Sequence, residues 1–503
     1  MTRADELFDR GARARRAGRT EEARDLFGRA LALDPAHRNA AVALAFLLRD
    51  EGEGGRATLV LRPLLAAPAT PAGELVALAD FVADLGATDL ALEALLRARH
   101  ASGGAPAVLL AHGRLLLQAG AFDEARDTFR EAFDRDPEAA AAYYQWAQTR
   151  RWEGPEGEEA RALLSARASR ARRPETRACL AFARAKIADD LGRPGEAFPL
   201  LRQANGLRRA ELPPFDHAFH EEWRRVFAPP PPARVGEEPA DDPEETLPRP
   251  LFVVGLPRSG TTLLARLLTA RAGIGSAGET DLVGRLAGSL AAPGNRAPDL
   301  GRALAALDPA RRRELARTLR RGLRARAGGA PRRWIVDKNP LNFWYVPLLR
   351  AVFPDAPVLW CRRERRDVLL SLYFQNFAHP ALDFSYDLGD LRRYIANAED
   401  YAEAWLAGGD PGIFPVVYED LVRESARTLA PVLHAIGHGE DAPEEAREGS
   451  PERFATASAW QARQPLHTRS VGRWRAYAPR LLEAEPALAA FGFGAKREAR
   501  EEG

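Results

Sequence analysis

Five glycines, Gly18, Gly52, Gly86, Gly120 and Gly154, recur every 34 residues along the first third of the chain. Five residues after the first four stand Ala23, Ala57, Ala91 and Ala125. Phe27, Leu61, Leu95 and Phe129 follow four residues after these alanines, and Ala30, Leu64, Ala98 and Ala132 three residues further still. Seven residues before each glycine lies another small residue: Gly11, Ala45, Ala79, Gly113 and Ala147. A fixed register of this kind constrains the fold strongly. Each unit is too small to bury its own apolar face, so successive units must stack into one continuous array. Small residues let paired segments approach closely, and the large ones fill the space toward the next unit. Pro35 and Pro137, each after an aspartate, close two of the units.

The period and the small–large alternation are those of the helix-turn-helix unit of tetratricopeptide repeats. An Ala/Arg-rich helical bundle without repeats does not account for five glycines in register. The fifth unit slips by one residue, bringing Ala160 into phase, and a weaker sixth unit surrounds Gly192, Ala197, Leu201 and Ala204. The expected domain is an all-α solenoid over residues 1–205, with a concave groove suited to a protein or peptide. Repeats give architecture and no chemistry.

Residues 206–248 read as a helix followed by a Pro-rich linker. The stretch FDHAFHEEW, Phe215–Trp223, puts His217 and His220 one helical turn apart. No third or fourth metal ligand accompanies them, so they are expected on a surface helix face. APPPPARVGEEPADDPEETLPRP carries prolines and acids without apolar periodicity, as linkers do.

Beyond it, PLFVVGLPRSGTTLLARLLTA runs from an apolar strand through a Gly-rich turn into a helix. Gly255 and Gly260 hold the spacing of a phosphate loop, but Thr261 stands where a nucleoside triphosphatase carries lysine. Main-chain N–H groups of such a turn, together with a helix N-terminus, favour an anion. The hydroxyls of Thr261 and Thr262 add donors, and Arg258 can bind two oxygens at once. Without the lysine or an evident acidic strand end for Mg²⁺, the loop suits an anion of lower charge than a triphosphate, such as a 5′-phosphosulfate.

Three further segments repeat the strand–turn–helix pattern or end a strand: WIVDKNP with Lys338, PVLWCRRERRDVLLSLYFQNF with Arg363 and Ser371, and IFPVVYEDL with Tyr418. Ligands of open α/β sheets bind at the carboxyl ends of the strands. Lysine occurs only at Lys186, Lys338 and Lys496 among 72 basic residues. A solvated charge in this chain would almost always be arginine, so Lys338 points to a need for a compact ammonium. GSAGETD follows the first helix, and a return strand there would bring Glu279 back toward the loop as a general base.

These residues together resemble the phosphoadenosine phosphosulfate (PAPS)-dependent sulfotransferases, in particular bacterial tetratricopeptide-repeat sulfotransferases and the tyrosylprotein sulfotransferases. The resemblance implies an α/β, P-loop-like sulfotransferase domain with a central parallel sheet over residues 249–480, and a tail at 481–503. It implies that Pro257, Arg258, Ser259, Gly260, Thr261 and Thr262 hold the 5′-phosphosulfate of PAPS, and that Arg363 and Ser371 hold the 3′-phosphate. Tyr418 and Arg473 join the cofactor-binding set; Glu279, Lys338, Arg258 and Ser458 are the implied catalytic set. Two departures concern detail: RRERRD replaces the commoner Arg-Asp-Pro-type turn, and Arg473 stands where lysine is frequent. The implied reaction is in-line sulfuryl transfer to a hydroxyl without a metal, with tyrosine of a protein or peptide as first acceptor and a carbohydrate or lipid-linked saccharide as second.

Other classes stay open at this level. A nucleotide kinase or NTPase with a degenerate loop would need Mg²⁺ and ATP; a repeat scaffold with an inactive second domain would bind no nucleotide. A net charge of +2 gives no reason to expect nucleic acid as a partner. Cys179 and Cys361 cannot build a disulfide framework. With no apolar signal segment or membrane span legible, a cytoplasmic location is the expectation.

Overall fold

The structure, a computed structural model, describes residues 2–51, 53–228, 247–291, 296–328, 332–438 and 467–493. Six helix pairs open the chain: α1 (Arg3–Arg16) with α2 (Thr20–Leu33), α3 (Arg38–Asp50) with α4 (Gly54–Ala66), α5 (Ala72–Asp84) with α6 (Thr88–Ala101), α7 (Pro106–Ala119) with α8 (Phe122–Arg135), α9 (Ala140–Gln148) with α10 (Gly154–Ala168), and α11 (Pro174–Asp190) with α12 (Pro194–Arg209). Among the described residues, Gly18, Gly86, Gly120 and Gly192 sit at the turn inside a pair, and Gly154 opens α10. Gly18, Gly86, Gly120, Gly154 and Gly192 all have positive φ, the left-handed conformation that ends a helix at least cost in glycine.

The small positions are set by close contact. A Cβ added to Gly11 would meet the Phe27 ring at 2.7 Å, and one added to Gly113 would meet Phe129 at 2.5 Å. In the second and third units the same two places hold Ala45 with Leu61 and Ala79 with Leu95, all buried. Glycine thus accompanies phenylalanine, and alanine accompanies leucine. The sixth unit, faint in sequence, is fully formed, with Ala197, Leu201 and Ala204 at 0% exposure.

Helix α13 (Ala218–Phe227) follows. The face carrying His217 and His220, expected at the surface, is turned inward, with His217 buried and His220 half-buried. His217 Nε2 lies 2.9 Å from Asp390, and the His220 ring stacks on Phe215 and meets Trp344 and Tyr394. Burial, with His217 adding to it, pushes the His220 imidazole down to about 4, so it is neutral at ordinary pH. The apolar neighbours Phe215, Phe219 and Trp223 outweigh the polarity of the two histidines and turn this face inward.

The second domain runs β1 (Arg249–Gly255), α14 (Thr261–Thr269), β2 (Ile274–Gly278), α15 (Leu282–Leu290), α16 (Ala297–Ala305), α17 (Pro309–Arg326), β3 (Trp334–Asp337), α18 (Val346–Val352), β4 (Val358–Arg362), α19 (Arg365–Tyr373), α20 (Leu388–Ala407), β5 (Ile413–Val417), α21 (Tyr418–Arg423), α22 (Ser425–Ala435) and α23 (Ala478–Ala484). The strands form one parallel sheet in the order β2-β3-β1-β4-β5. β1 is buried on both faces, as a central parallel strand must be. Its alternation sends Leu251 and Val253 into a core with Leu264 and Leu268 of α14. Phe252 and Val254 go to the opposite core.

That second core does not stop at the domain boundary. It continues through Phe343 and Trp360 into Phe182, Phe198 and Leu201 of α11 and α12. The middle of the array reaches α17, where Arg326 lies 3.6 Å from Asp84 of α5. Residues 481–493, read from sequence as the start of a tail, are packed: Leu481, Leu488, Phe491 and Phe493 belong to the same core. Their apolar residues are too few and too irregular to declare a helix or strand, and only the fold shows what they cover. No helix among the described residues is long and apolar enough to cross a membrane.

Candidate active site

The turn after β1 is tight for a steric reason. Gly255 has φ +140°, and a Cβ there would lie 2.5 Å from the Cys361 carbonyl oxygen on β4. Gly260, at φ +105°, caps α14 and presses against Tyr418, whose Cδ2 would be 2.5 Å from an added Cβ. Pro257, Ser259, Thr261 and Thr262 are buried in this turn. Arg258 has φ +72°, the sole left-handed non-glycine among the described residues. Such a conformation costs about 1–2 kcal/mol in a residue with a side chain and is held only where the surroundings impose it.

What imposes it is a set of contacts from the third strand–turn–helix unit. Arg258 Nε donates to the Ser371 hydroxyl at 3.0 Å. Arg363 Nη1 donates to the Arg258 carbonyl at 2.9 Å and Nη2 to the Ser470 carbonyl at 2.6 Å. The Arg363 guanidinium lies over the Tyr418 ring, 4.6 Å from its centroid. The loop, the Arg363/Ser371 pair and Tyr418 thus meet at one edge of the sheet, as their places at strand ends predict.

Cations crowd here. Burial first, then Arg363 and Arg473, push the Arg258 guanidinium down to about 10, still protonated at neutral pH. Burial likewise lowers Arg363. Arg363 Nε and Ser259 Oγ are buried without a hydrogen-bond partner among the described residues. Unspent donors beside repelling cations suit a bound anion, which would satisfy the first and relieve the second. The residues present therefore fit a phosphorylated, sulfated nucleotide.

Glu279 and Lys338 stand at the adjacent strand ends. β2 closes with a bulge at Ser276/Gly278 and a positive φ at Gly278, which turns Glu279 out of the sheet. The return strand does not neighbour β1; β3 lies between them. Three successive residues of β3 and its turn then grip the acidic segment. Lys338 Nζ pairs with Glu279 Oε1, and Lys338 N donates to the Gly278 carbonyl at 3.0 Å. Asn339 Nδ2 donates to the Thr280 carbonyl at 2.6 Å. Asp337 accepts from the Thr280 hydroxyl at 3.3 Å and from Asn342 Nδ2 at 3.2 Å. The Lys338 side chain is 3% exposed and that of Glu279 40%, so the ammonium is sequestered while the carboxylate faces the outside.

Asp337, Thr280 and Asn339 carry no signal in sequence beyond standing next to Lys338 and Glu279. Burial pushes Asp337 up to about 7, with Thr280 and Lys338 pulling the other way. Arg473 is placed by two bonds to one acceptor: the N–H groups of Gly472 and Trp474 both donate to Asp367, at 2.6 and 2.9 Å. Its guanidinium is directed at Asp189 of the repeat helix α11, with Nη2 2.7 Å from Oδ2. Ser458, the remaining expected site residue, lies outside the described residues.

Residues 250–441 match the family model described as Sulfotransferase family, and residues 4–37 match that of the Tetratricopeptide repeat. Residues 250–441 are a sulfotransferase-family domain. An uncharacterized protein of Aquifex aeolicus (strain VF5) is 28% identical over 317 residues, covering 60% of this chain and 40% of the relative. The chain thus spans 40% of the length of that curated relative. Among solved structures, sulfotransferase STF9 from Mycobacterium avium is 14% identical, with a TM-score of 0.29, covering 68% of this chain and 97% of that one. A tetratricopeptide repeat protein from Parabacteroides merdae ATCC 43184 is 16% identical, with a TM-score of 0.29, covering 41% of this chain and 84% of that one. The sulfotransferase domain carries the loop, Glu279, Lys338, Arg363, Ser371 and Tyr418; Arg473 lies beyond the matched segment.

Proposed function

We propose that the chain transfers a sulfuryl group from PAPS to an acceptor hydroxyl, with a tyrosine of a protein or peptide as the first acceptor. The observation that carries this reading is the Glu279–Lys338 pair set on the same sheet edge as an anion loop that lacks lysine. PAPS, when bound, supplies a sulfuryl group on an activated phosphosulfate linkage. Pro257–Thr262 hold its 5′ end through main-chain N–H groups and hydroxyls, and Arg363 and Ser371, with Tyr418 and Arg473 nearby, hold the 3′-phosphate.

Glu279 takes the proton of the attacking hydroxyl; its carboxylate faces outward, where an acceptor arrives. Lys338 places a point charge where negative charge grows on the leaving oxygen, and Arg258 acts with it. Ser458 serves as a further donor in the same reading. In this reading the transfer proceeds without a metal, the charge on the sulfuryl oxygens being met by Lys338 and Arg258. The repeat array supports a protein or peptide acceptor, because such arrays present extended concave surfaces.

The test is incubation of the purified chain with ³⁵S-labelled PAPS and a cell lysate, with and without EDTA. Label on protein tyrosine in both samples is expected. Label on polysaccharide or lipid transfers the reading to a saccharide acceptor. Failure to label anything, with ATP consumed in a Mg²⁺-dependent manner, overturns sulfuryl transfer in favour of a nucleotide kinase or NTPase.

A further inference from the structure

We infer that Asp189, on the last turn of repeat helix α11, is a positioning residue for the donor site, so that the repeat array forms part of that site. The inference rests on the donor reading above.

The Arg473 guanidinium is held on two sides, and its backbone is fixed as well. Its Nη2 and Nε face the two oxygens of Asp189, at 2.7 and 3.4 Å. Its plane lies against Phe374, 4.2 Å from the ring centroid. Its backbone is pinned between the two N–H groups that Asp367 accepts. Asp189 is itself fixed, because the Tyr477 hydroxyl donates to Oδ1 at 2.6 Å. Burial works against the charge of Arg473, and Asp189 followed by Tyr477 outweighs it, so the guanidinium titrates above its ordinary value.

Arg363 Nη2 donates to the carbonyl of Ser470, three residues before Arg473, at 2.6 Å, and the charge of Arg473 bears on both Arg258 and Arg363. Phe374, on which it rests, is three residues beyond Ser371 and caps the helix that carries it. A third guanidinium therefore stands at the anion site, and the group that aims it comes from the repeat domain. Without Asp189 the arginine would keep its charge and lose its direction. An ordered guanidinium loses less freedom per hydrogen bond formed than a mobile one.

The contact between Tyr144 and the segment after α19 has the same character. Its hydroxyl donates to Gln375 Oε1 at 3.0 Å and accepts from Asn376 N at 3.3 Å. The repeat domain thus braces the chain just beyond Ser371, directly at Gln375 and Asn376 and through Arg473 at Phe374.

The probe is adenosine 3′,5′-bisphosphate, titrated calorimetrically into the full-length chain and its Asp189→Asn variant, with adenosine 5′-monophosphate as the comparison ligand. Asparagine preserves shape and an acceptor for Tyr477, and circular dichroism checks the fold. Asp189→Asn is expected to weaken the bisphosphate about tenfold, the loss of one directed charge-assisted bond, and to leave the monophosphate unchanged. The donor KM rises with kcat kept. In an Arg473→Ala background the same substitution has no further effect.

Equal binding by the variant, tighter binding, or an effect that persists without Arg473 each overturns the inference alone. Tighter binding would mean that Asp189 sequesters the arginine. Absence of bisphosphate binding by the unsubstituted chain overturns the donor reading and this inference with it. If Asp189→Asn does not fold, Asp189→Glu decides: longer by one methylene, it keeps the charge and displaces the guanidinium, and unchanged affinity overturns the inference.

Discussion

Glu279 at the end of β2 and Lys338 at the end of β3 form an ion pair in which the cation is buried and the anion is open to solvent. Parallel pairing of the two strands puts these ends side by side, and the Lys338 N–H to the Gly278 carbonyl fixes their register. The asymmetry has consequences for substitution. Glu279→Gln is expected to lower the transfer rate by about 10²–10⁴-fold, the usual contribution of a general base, with adenosine 3′,5′-bisphosphate still bound. A variant that turns over at the normal rate would remove Glu279 from that role.

Lys338→Arg keeps the charge and should still lower kcat severely. The side chain is 3% exposed, which leaves no room for a planar fork. Turnover with PAPS is the measurement; near-normal activity would contradict the need for a compact ammonium.

Arg258→Gly separates the backbone of the loop from its side chain. Glycine adopts φ +72° without strain, so the variant should melt no lower than the parent, with about 1–2 kcal/mol of strain relieved against the lost bond to Ser371. Affinity for adenosine 3′,5′-bisphosphate should fall nonetheless. Unimpaired affinity would assign Arg258 a purely conformational part.

Asp337 predicts a pH dependence of stability. The unfolded carboxyl releases its proton near 3.8, the folded one near 7. Between these values the folded state holds more protons, so stability falls as pH rises from about 4 to about 7 and is level above that. The slope reaches at most about 1.4 kcal/mol per pH unit for one group. Denaturant unfolding of the parent and of Asp337→Asn across this window checks it. The difference between the two should vary with pH, and parallel curves would refute the assignment.

The repeat packing predicts a compensated pair. Gly113→Ala drives a Cβ into Phe129 and should destabilise by about 1–3 kcal/mol. Adding Phe129→Leu recreates the alanine–leucine pairing of the second and third units and should recover much of the loss. Thermal melts of the single and double variants measure the coupling; simple additivity would show that the two positions do not compensate.

Most of the scaffold is legible in the chain because it is written in local spacing. Glycines every 34 residues mark turns that need positive φ, and the β-branched and apolar run of PLFVVG marks a strand buried on both faces. Arg258, Glu279, Lys338, Arg363 and Tyr418 were chosen as candidates because a strand end or its turn announced them, and Ser371 by its place in the helix that follows. Their partners were not. Asp337 and Asn339 look like ordinary turn residues until the register of β2 on β3 sets them against Thr280. The His217/His220 face looked polar because hydropathy is read along one helix and not against what covers it.

By itself, then, the sequence determined the repeating helical pairs, the parallel sheet and the residues at its carboxyl edge, since periodicity and turn chemistry act over a few residues. Tertiary structure alone decided that β3 enters between β1 and β2, that the repeat array shares a core with the sulfotransferase domain, and that Asp189 meets Arg473 across 284 residues of chain. Such contacts depend on which surfaces close upon each other, and no local period records that choice.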